Sequence, residues 1–204
     1  MPTFAATMNP FFQDYTTAYG TIPFGKLKNE HYVPAIHQGI TDAKAEIDAI
    51  VHTNDTPTFE NVIVALENSG ELLTKVTSAF FNLNSAETSD EMQEIAQEIS
   101  PLLSAHGNDI AMNAGLFAKV KEVFDQGFDG LTPEQKTLLE NAYKGFTRNG
   151  ANLNDTDKEK LREIDARKAK LSLIFGERVL KESNAFEMLI TDENDLDGLP
   201  EGIR

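Results

Sequence analysis

The chain of 204 residues contains no cysteine, so disulfide bonds, thiolate metal sites and cysteine nucleophiles are all excluded. It also lacks any uninterrupted stretch of about 18 apolar residues, the length that indicates a transmembrane helix. Cations are scarce, because 18 Lys and Arg residues stand against 33 Asp and Glu residues and give a net charge of -15. Nucleic acids and anionic membranes bind through clustered cations, so neither is predicted as a partner.

A recognisable signal peptide is also missing. The first twenty residues, MPTFAATMNPFFQDYTTAYG, have neither a basic start nor a continuous apolar core. We therefore expect a cytoplasmic protein by default, with a periplasmic or otherwise exported parent as the alternative.

The zinc-peptidase motif His-Glu-x-x-His does not occur in the sequence. In that motif two histidines one helical turn apart bind the metal, and the glutamate activates its water. The four histidines here are His31, His37, His52 and His106, and none lies three or four residues from another. Each is predicted to be a surface or helix-end residue. The sequence therefore offers no catalytic, cofactor-binding or metal-binding residue.

Two acidic clusters are candidates for metal sites. Glu91, Glu94 and Glu98 share one helical face, but a di-metal carboxylate site needs Glu-x-x-His partners that are missing. The tail TDENDLDGLPE lacks the spacing of an EF-hand loop. A solvated acidic face and the start of another helix are the better interpretations.

Helical periodicity dominates the rest of the chain and predicts an all-α fold. The expected helices run from near Tyr32 to Asn54, from about Thr56 through Phe81, from Thr88 onwards, through Leu116 to Phe124, from Pro133 through Phe146, and from about Asp157 to about Lys181. Pro34 is expected in the first turn of the first helix. Gly70 is expected to form a kink or a turn in the second, and Pro101 to bend or divide the third. Capping boxes are expected at Thr88 with Glu91, at Thr132 with Gln135 and at Thr156 with Glu159. The only weak strand candidate is FEMLIT, residues 186–191.

The last predicted helix is long and amphipathic. Its apolar residues recur at steps of three and four: Leu161, Ile164, Leu171, Ile174, Phe175 and Val179. Eight of the 18 basic residues lie between Lys158 and Lys181, interspersed with acids. Mixed charges on a long helix are typical of a solvated face with ion pairs four residues apart.

These patterns divide the chain into three parts. Residues 1–28 form an extended aromatic-rich arm, residues 29–190 a helical lobe, and residues 191–204 the start of a truncated following helix. The arm is expected to pack on the lobe through aromatic and aliphatic anchors: Phe11, Phe12, Tyr19, Ile22 and Phe24. An interface with another part of a larger protein is a competing use of the same residues.

Several sequence blocks resemble the N-terminal region of the thimet oligopeptidase and neurolysin family, above all its peptidyl-dipeptidase and oligopeptidase A branch. In order along the chain they are IPFGKLKNEHYVPAI, DTPTFENVIVALENSGELL, FFNLNSAETSDEMQEIAQEISPLLSAHGNDI, LTPEQKTLLENAYKGFTRNGANL and the segment from Asn149 to Glu201. The resemblance implies the N-terminal lobe of an all-helical, neurolysin-like fold. It also implies that this lobe forms one wall of a channel that admits short peptides.

The same resemblance implies that zinc and its ligands belong to the missing catalytic part of the parent protein and not to this fragment. The full enzyme would release dipeptides from the C-terminal end of short peptides. We therefore expect an N-terminal fragment of a zinc metallopeptidase that has no activity alone. The alternatives are a free-standing helical interaction module and an unrecognised enzyme that uses only Asp, Glu and His.

Overall fold

The structure is a computed structural model that describes residues 9–202. Those residues form helices and turns with no β-strand, which confirms the all-α prediction and rules out a strand at residues 186–191. The α-helices are α1 (Tyr32–His52), α2 (Ala65–Glu67), α3 (Glu71–Ala86), α4 (Asp90–Ala111), α5 (Ala114–Asp125), α6 (Pro133–Arg148) and α7 (Asp155–Ala185). Short 3-10 turns lie at Pro10–Phe12, Ala18–Gly20, Phe24–Lys26, Asn29–His31 and Glu193–Leu196.

The described part of the N-terminal arm is anchored more weakly than the sequence predicted. Phe11 is buried against the rings of the lobe, with its centroid 5.7 Å from that of Tyr32. Phe12 and Ile22 are partly buried against the same cluster. Tyr19, however, is fully exposed and Phe24 is half exposed, so the prediction that they anchor the arm was wrong. Both lie in short 3-10 turns, Ala18–Gly20 and Phe24–Lys26. The arm's first eight residues lie outside the described part of the chain.

Helix α1 is shared by two hydrophobic clusters. Its first half contributes Tyr32, Ala35 and Ile36 to a cluster with α3 and α4, where Phe80 and Ile99 are fully buried. Its second half contributes to another cluster with α5, α6 and the segment before α2; the fully buried members of that cluster are Val62, Ile63, Leu116, Val120 and Leu139. Helix α1 therefore joins both halves of the lobe, because successive parts of its length belong to the two clusters.

The chain forms a turn and not a kink at Gly70, between α2 and α3. A π-helical stretch, Phe59–Val64, leads into the single turn of α2, and Thr58 caps it by accepting a hydrogen bond from Asn61 N at 3.2 Å. Gly70 then adopts a left-handed conformation with φ of +71°. Residues with a side chain rarely adopt that conformation, so glycine allows the chain to reverse into α3.

Two of the predicted helix starts are displaced. Helix α4 is capped by Ser89, whose hydroxyl accepts from Met92 N at 3.2 Å, so the cap proposed at Thr88 was wrong by one residue. Helix α7 is capped by Asn154, which accepts from Asp157 N at 3.0 Å, so Thr156 lies inside the helix. In both places two or three polar residues compete for the cap, and sequence spacing alone does not choose between them.

The capping box predicted at Thr132 is confirmed, whereas α4 is not divided at Pro101, which was one of the two effects predicted there. Thr132 and Gln135 form the expected capping box, with Pro133 at the first position of α6. Pro101 lies inside α4 but does not divide it. A proline removes one backbone hydrogen bond, and burial of the neighbouring Ile99 and partial burial of Leu103 hold the helix together across that gap.

Helices α1 and α3 approach each other closely at Gly39. A Cβ atom built on Gly39 would stand 2.9 Å from both the Cα and the N of Leu73, a distance that real side chains do not tolerate. Gly39 itself is buried. The contact is with the backbone of α3, so a larger residue could be accommodated only by moving one helix away from the other.

We predict that Gly39→Ala destabilises the lobe by about 1–3 kcal/mol, because the added methyl group overpacks the α1–α3 crossing. The measurement is the free energy of unfolding from urea denaturation. Gly107→Ala is the matched control, since a Cβ at Gly107 in α4 meets nothing within 4 Å. It should stabilise the chain by up to about 1 kcal/mol through helix propensity. Equal effects of the two substitutions would contradict the proposed steric role of Gly39.

Candidate functional site

The most unusual surface of the described chain is the outer face of α7, which we define as Ile164, Leu171, Phe175 and Val179. Their spacing of seven, four and four residues places them along one side of the helix. Ile164 is 61% exposed and Phe175 is 71% exposed, and Leu171 and Val179 are about half exposed. No residue of α7 is buried. The outer face is therefore an apolar stripe without a covering element among residues 9–202.

The opposite face of α7 packs on α4, largely through polar contacts. Arg162 donates to Asp109 at 2.9 Å, and Gln97 donates to Glu177 at 2.9 Å. Leu173 adds a partly buried apolar contact with the first cluster. An ordinary surface helix turns its most apolar side towards the core, whereas α7 leaves its outer face apolar and attaches its inner face through an ion pair, a hydrogen bond and the partly buried Leu173.

A shallow groove of about 510 Å³ runs along this outer face. It is lined by Ile164, Leu171 and Phe175 together with the cations Arg167 and Lys168. Within the described chain neither cation takes part in an ion pair, although most other basic residues of α7 that precede them do. The groove is thus apolar at its base and positively charged at its edge, in a chain that is strongly acidic overall.

The segment after α7 extends the exposed apolar surface. Phe186, Met188 and Leu189 are all largely exposed, and Leu189 reaches 87%. Residues 186–192 form neither helix nor strand. Asp192 then caps the 3-10 turn Glu193–Leu196 by accepting from Asn194 N at 3.0 Å, so its carboxylate already has a structural use.

The four histidines do not meet. His31 accepts a hydrogen bond from Lys28 N at 3.0 Å, His37 is exposed, and His52 Nδ1 lies 2.8 Å from the carbonyl of Asp48. His106 is buried in the C-terminal part of α4, so its prediction as a surface residue was wrong. The three candidate glutamates of α4 are exposed, and Glu91 accepts a hydrogen bond from Asn29 at 2.7 Å. Across residues 9–202, no group of three or more His, Cys, Asp or Glu side chains could hold a metal ion.

A polar junction beside His106 ties three helices together. Asp109 of α4 accepts from Lys44 of α1 at 2.9 Å and from Arg162 of α7 at 2.9 Å. Partial burial favours the neutral acid, but the hydrogen bonds and charges of the two cations outweigh it and hold the pKa of Asp109 below its ordinary value. The junction borders a cavity of about 200 Å³ that is also lined by His106 and Asn113.

The surroundings of His106 lower the pKa of its side chain. Burial, and then the nearby charge of Lys44, lower the pKa of its imidazole, and only Asp109 acts in the opposite direction. Its Nδ1 has no hydrogen-bond partner. Sequence reasoning missed this residue because no nearby charge pattern marks it. The clue was its helical register with buried Ile99, seven residues earlier.

A second cavity lies between the arm and the helices α1 and α3. It has a volume of about 750 Å³ and is lined by Phe11, Tyr15, Asp42, Glu71 and Lys75, among others. Glu71 and Lys75 pair with each other, and the Lys75 ammonium stands 5.8 Å from the centre of the Tyr15 ring. The charged groups of this cavity thus largely satisfy each other.

None of the helices within residues 9–202 combines the length and apolarity that crossing a bilayer requires.

We predict that His106 makes the lobe less stable as the pH falls below about 6.5, the ordinary pKa of histidine. The folded state keeps the imidazole neutral while the unfolded state takes up a proton, so acid favours unfolding down to the lowered pKa of the folded state. Urea unfolding measured between pH 7.5 and pH 5 should show this loss in the wild type.

The matched variants are His106→Gln and His106→Leu, which cannot titrate. Both should lose less stability than the wild type across the same interval. The contribution of Asp109 is separable, because the pKa of its carboxylate lies below the ordinary value of 3.8 and therefore below the pH range measured. An unchanged pH dependence in both variants would show that another group is responsible.

Comparison with known proteins identifies relatives over nearly the whole chain. The sequence is 38% identical to the dipeptidyl carboxypeptidase of Escherichia coli (strain K12) over 196 residues, which is 96% of this chain but 29% of that protein. It is 28% identical to oligopeptidase A of Salmonella typhimurium over 91% of this chain and 27% of the relative. Oligopeptidase A of Haemophilus influenzae matches at 31% identity over 89% of the chain. No protein-family profile matches the sequence.

The chain therefore spans less than a third of the length of these relatives. The three matches cover 89–96% of this chain and agree with the family resemblance of the sequence blocks. The chain belongs to the family of the dipeptidyl carboxypeptidases and oligopeptidases A, and it corresponds to their N-terminal region.

Proposed function

We propose that this chain is the N-terminal, non-catalytic lobe of a longer zinc metallopeptidase that cleaves short peptides. The observation that carries the proposal is the match to dipeptidyl carboxypeptidase, which covers 96% of this chain and only 29% of the relative. A peptidase's catalytic groups must then lie in the remaining length. Because the stronger matches are to proteins named dipeptidyl carboxypeptidase, we further propose release of dipeptides from the C-terminal end of the substrate.

The residues described here do not fit a zinc site. The histidines lie at separate places on the lobe, and the carboxylates of α4 face solvent without histidine partners. A catalytic zinc usually takes three protein ligands that converge on one point. We therefore assign no metal ligand and no catalytic residue to this chain and propose that zinc binds in the remainder of the parent.

The proposed role of the lobe is steric. A wall of packed helices beside the catalytic part would limit access to peptides that are short and unfolded. The two hydrophobic clusters, joined by α1, give the lobe the rigidity that such a wall needs. We also propose the three-part division into arm (1–28), lobe (29–190) and the start of a further helix (191–204), and a cytoplasmic location with an exported parent as the alternative.

The test compares the 204-residue chain with the longer protein encoded by the same gene. We expect the longer protein to release dipeptides from the C-terminal end of peptides of about ten residues, as identified by mass spectrometry. Its zinc content should be one or more ions per chain by elemental analysis, and chelation should abolish the activity. The 204-residue chain should show neither activity nor stoichiometric zinc. Dipeptide release by the purified 204-residue chain would overturn the proposal.

A free-standing helical interaction module is the second candidate. The observations that favour it are the exposed aromatic rings of Tyr19 and Phe24 and the uncovered outer face of α7. The length and activity of the full gene product distinguish the interaction module from the peptidase lobe. A product that contains no peptidase sequence, and that captures a partner through these residues, would support the module. A longer product with peptidase activity would exclude it.

A further inference from the structure

We propose that the outer face of α7 is the surface on which the remainder of the parent polypeptide docks. This inference rests on the proposed function, because the occupant is the part of the parent that this chain lacks. It adds a specific interface and its chemistry, neither of which the family match supplies.

Helix α7 presents its apolar side to solvent and not to the lobe. Ile164, Leu171 and Phe175 are each more than half exposed, while the face towards α4 contacts that helix through Arg162 and Glu177. An apolar stripe of this length, continued by the exposed Phe186 and Leu189, is typical of a surface that another protein element covers.

The length of the relatives supports the remainder of the parent polypeptide as the occupant of this face. The relatives share about 27–29% of their length with this chain, so about 70% of each has no counterpart here. A segment of that size supplies ample surface to cover one helix face, and domain interfaces of this kind bury roughly 600–1,500 Å². A second copy of the chain could cover the same face, but it would leave the larger part of the parent without an assigned contact.

Two positive charges at the edge of the groove indicate the chemistry of the docking element. Arg167 and Lys168 border the groove and have no ion-pair partner within the described chain. Covering the groove would desolvate both cations, and this is favourable only when carboxylates on the occupant meet them. The docking element should therefore present apolar side chains at its centre and Asp or Glu at its edge.

The absence of cysteine makes a direct test feasible, because Phe175→Cys introduces the only thiol of the 204-residue chain. Its rate of reaction with N-ethylmaleimide is measured in this chain and in the longer protein, where mass spectrometry follows the peptide that contains position 175. The control is Lys170→Cys. Lys170 is exposed and lies five residues before Phe175, about 140° around the helix.

We expect the Phe175→Cys thiol to react at least about tenfold more slowly in the longer protein than in the 204-residue chain, because labelling then requires opening of the interface. The Lys170→Cys thiol should react equally fast in both. Leu171→Cys provides a second probe of the outer face if Phe175→Cys impairs folding.

Equal rates at position 175 in the two proteins would overturn the docking proposal. Protection in the 204-residue chain that increases with concentration, together with a dimer in sedimentation, would assign the face to a second copy and also overturn it. The peptidase assay separates the two levels of inference. An active longer protein with a freely reactive thiol at position 175 disproves the interface alone, whereas an inactive product without peptidase sequence disproves the proposed function.

Discussion

The close crossing of α1 and α3 is the constraint on which the architecture of the lobe depends. At Gly39 the two helices approach so closely that the backbone of Leu73 occupies the space of a side chain. This contact places Ile36 and Phe80 in one cluster, while the remainder of α1 carries Ile50 into the other. A change in the α1–α3 distance would therefore alter both halves of the lobe, because the same helix belongs to each.

Helix α7 follows a different principle from the other long helices. Helices α1, α3, α4, α5 and α6 each bury at least two residues, whereas α7 buries none. It is attached at defined points, chiefly where Arg162 meets Asp109, and Asp109 in turn meets Lys44 of α1. A charged junction of this kind fixes position without burying much apolar surface. The apolar residues of α7 are thus left available for a contact outside the lobe, which fits a piece of a larger peptidase.

The arrangement of the titratable groups is consistent with the steric role proposed for the lobe. His106 is buried and kept neutral, and Asp109 is kept ionised between two cations. Neither meets the convergent set of partners that metal binding or nucleophilic catalysis requires. Their pKa values are shifted by burial and by the ion pairs that join the helices. Such structural interactions shift pKa values in the same way as the environment of an active site does.

Much of the helical architecture could be predicted from local signals. The start of α1 at Tyr32 and the capping box at Thr132 depend on residues adjacent in sequence, and both appear as expected. Prediction was less exact where several residues compete for one role, as at Ser89 and Asn154. It failed where an outcome depends on distant residues, as for the exposure of Tyr19 and the burial of His106.

By itself, then, the sequence determined the all-α class, the order of the helices, the family and the absence of a cysteine or a His-Glu-x-x-His motif. These follow from composition, periodicity and ordered blocks, which are properties of neighbouring residues. The tertiary structure alone decided which side of α7 meets the lobe and which apolar residues remain uncovered. The periodicity of Leu161, Ile164 and Phe175 shows that the helix is amphipathic, but their exposure depends on helices that lie far away in the chain.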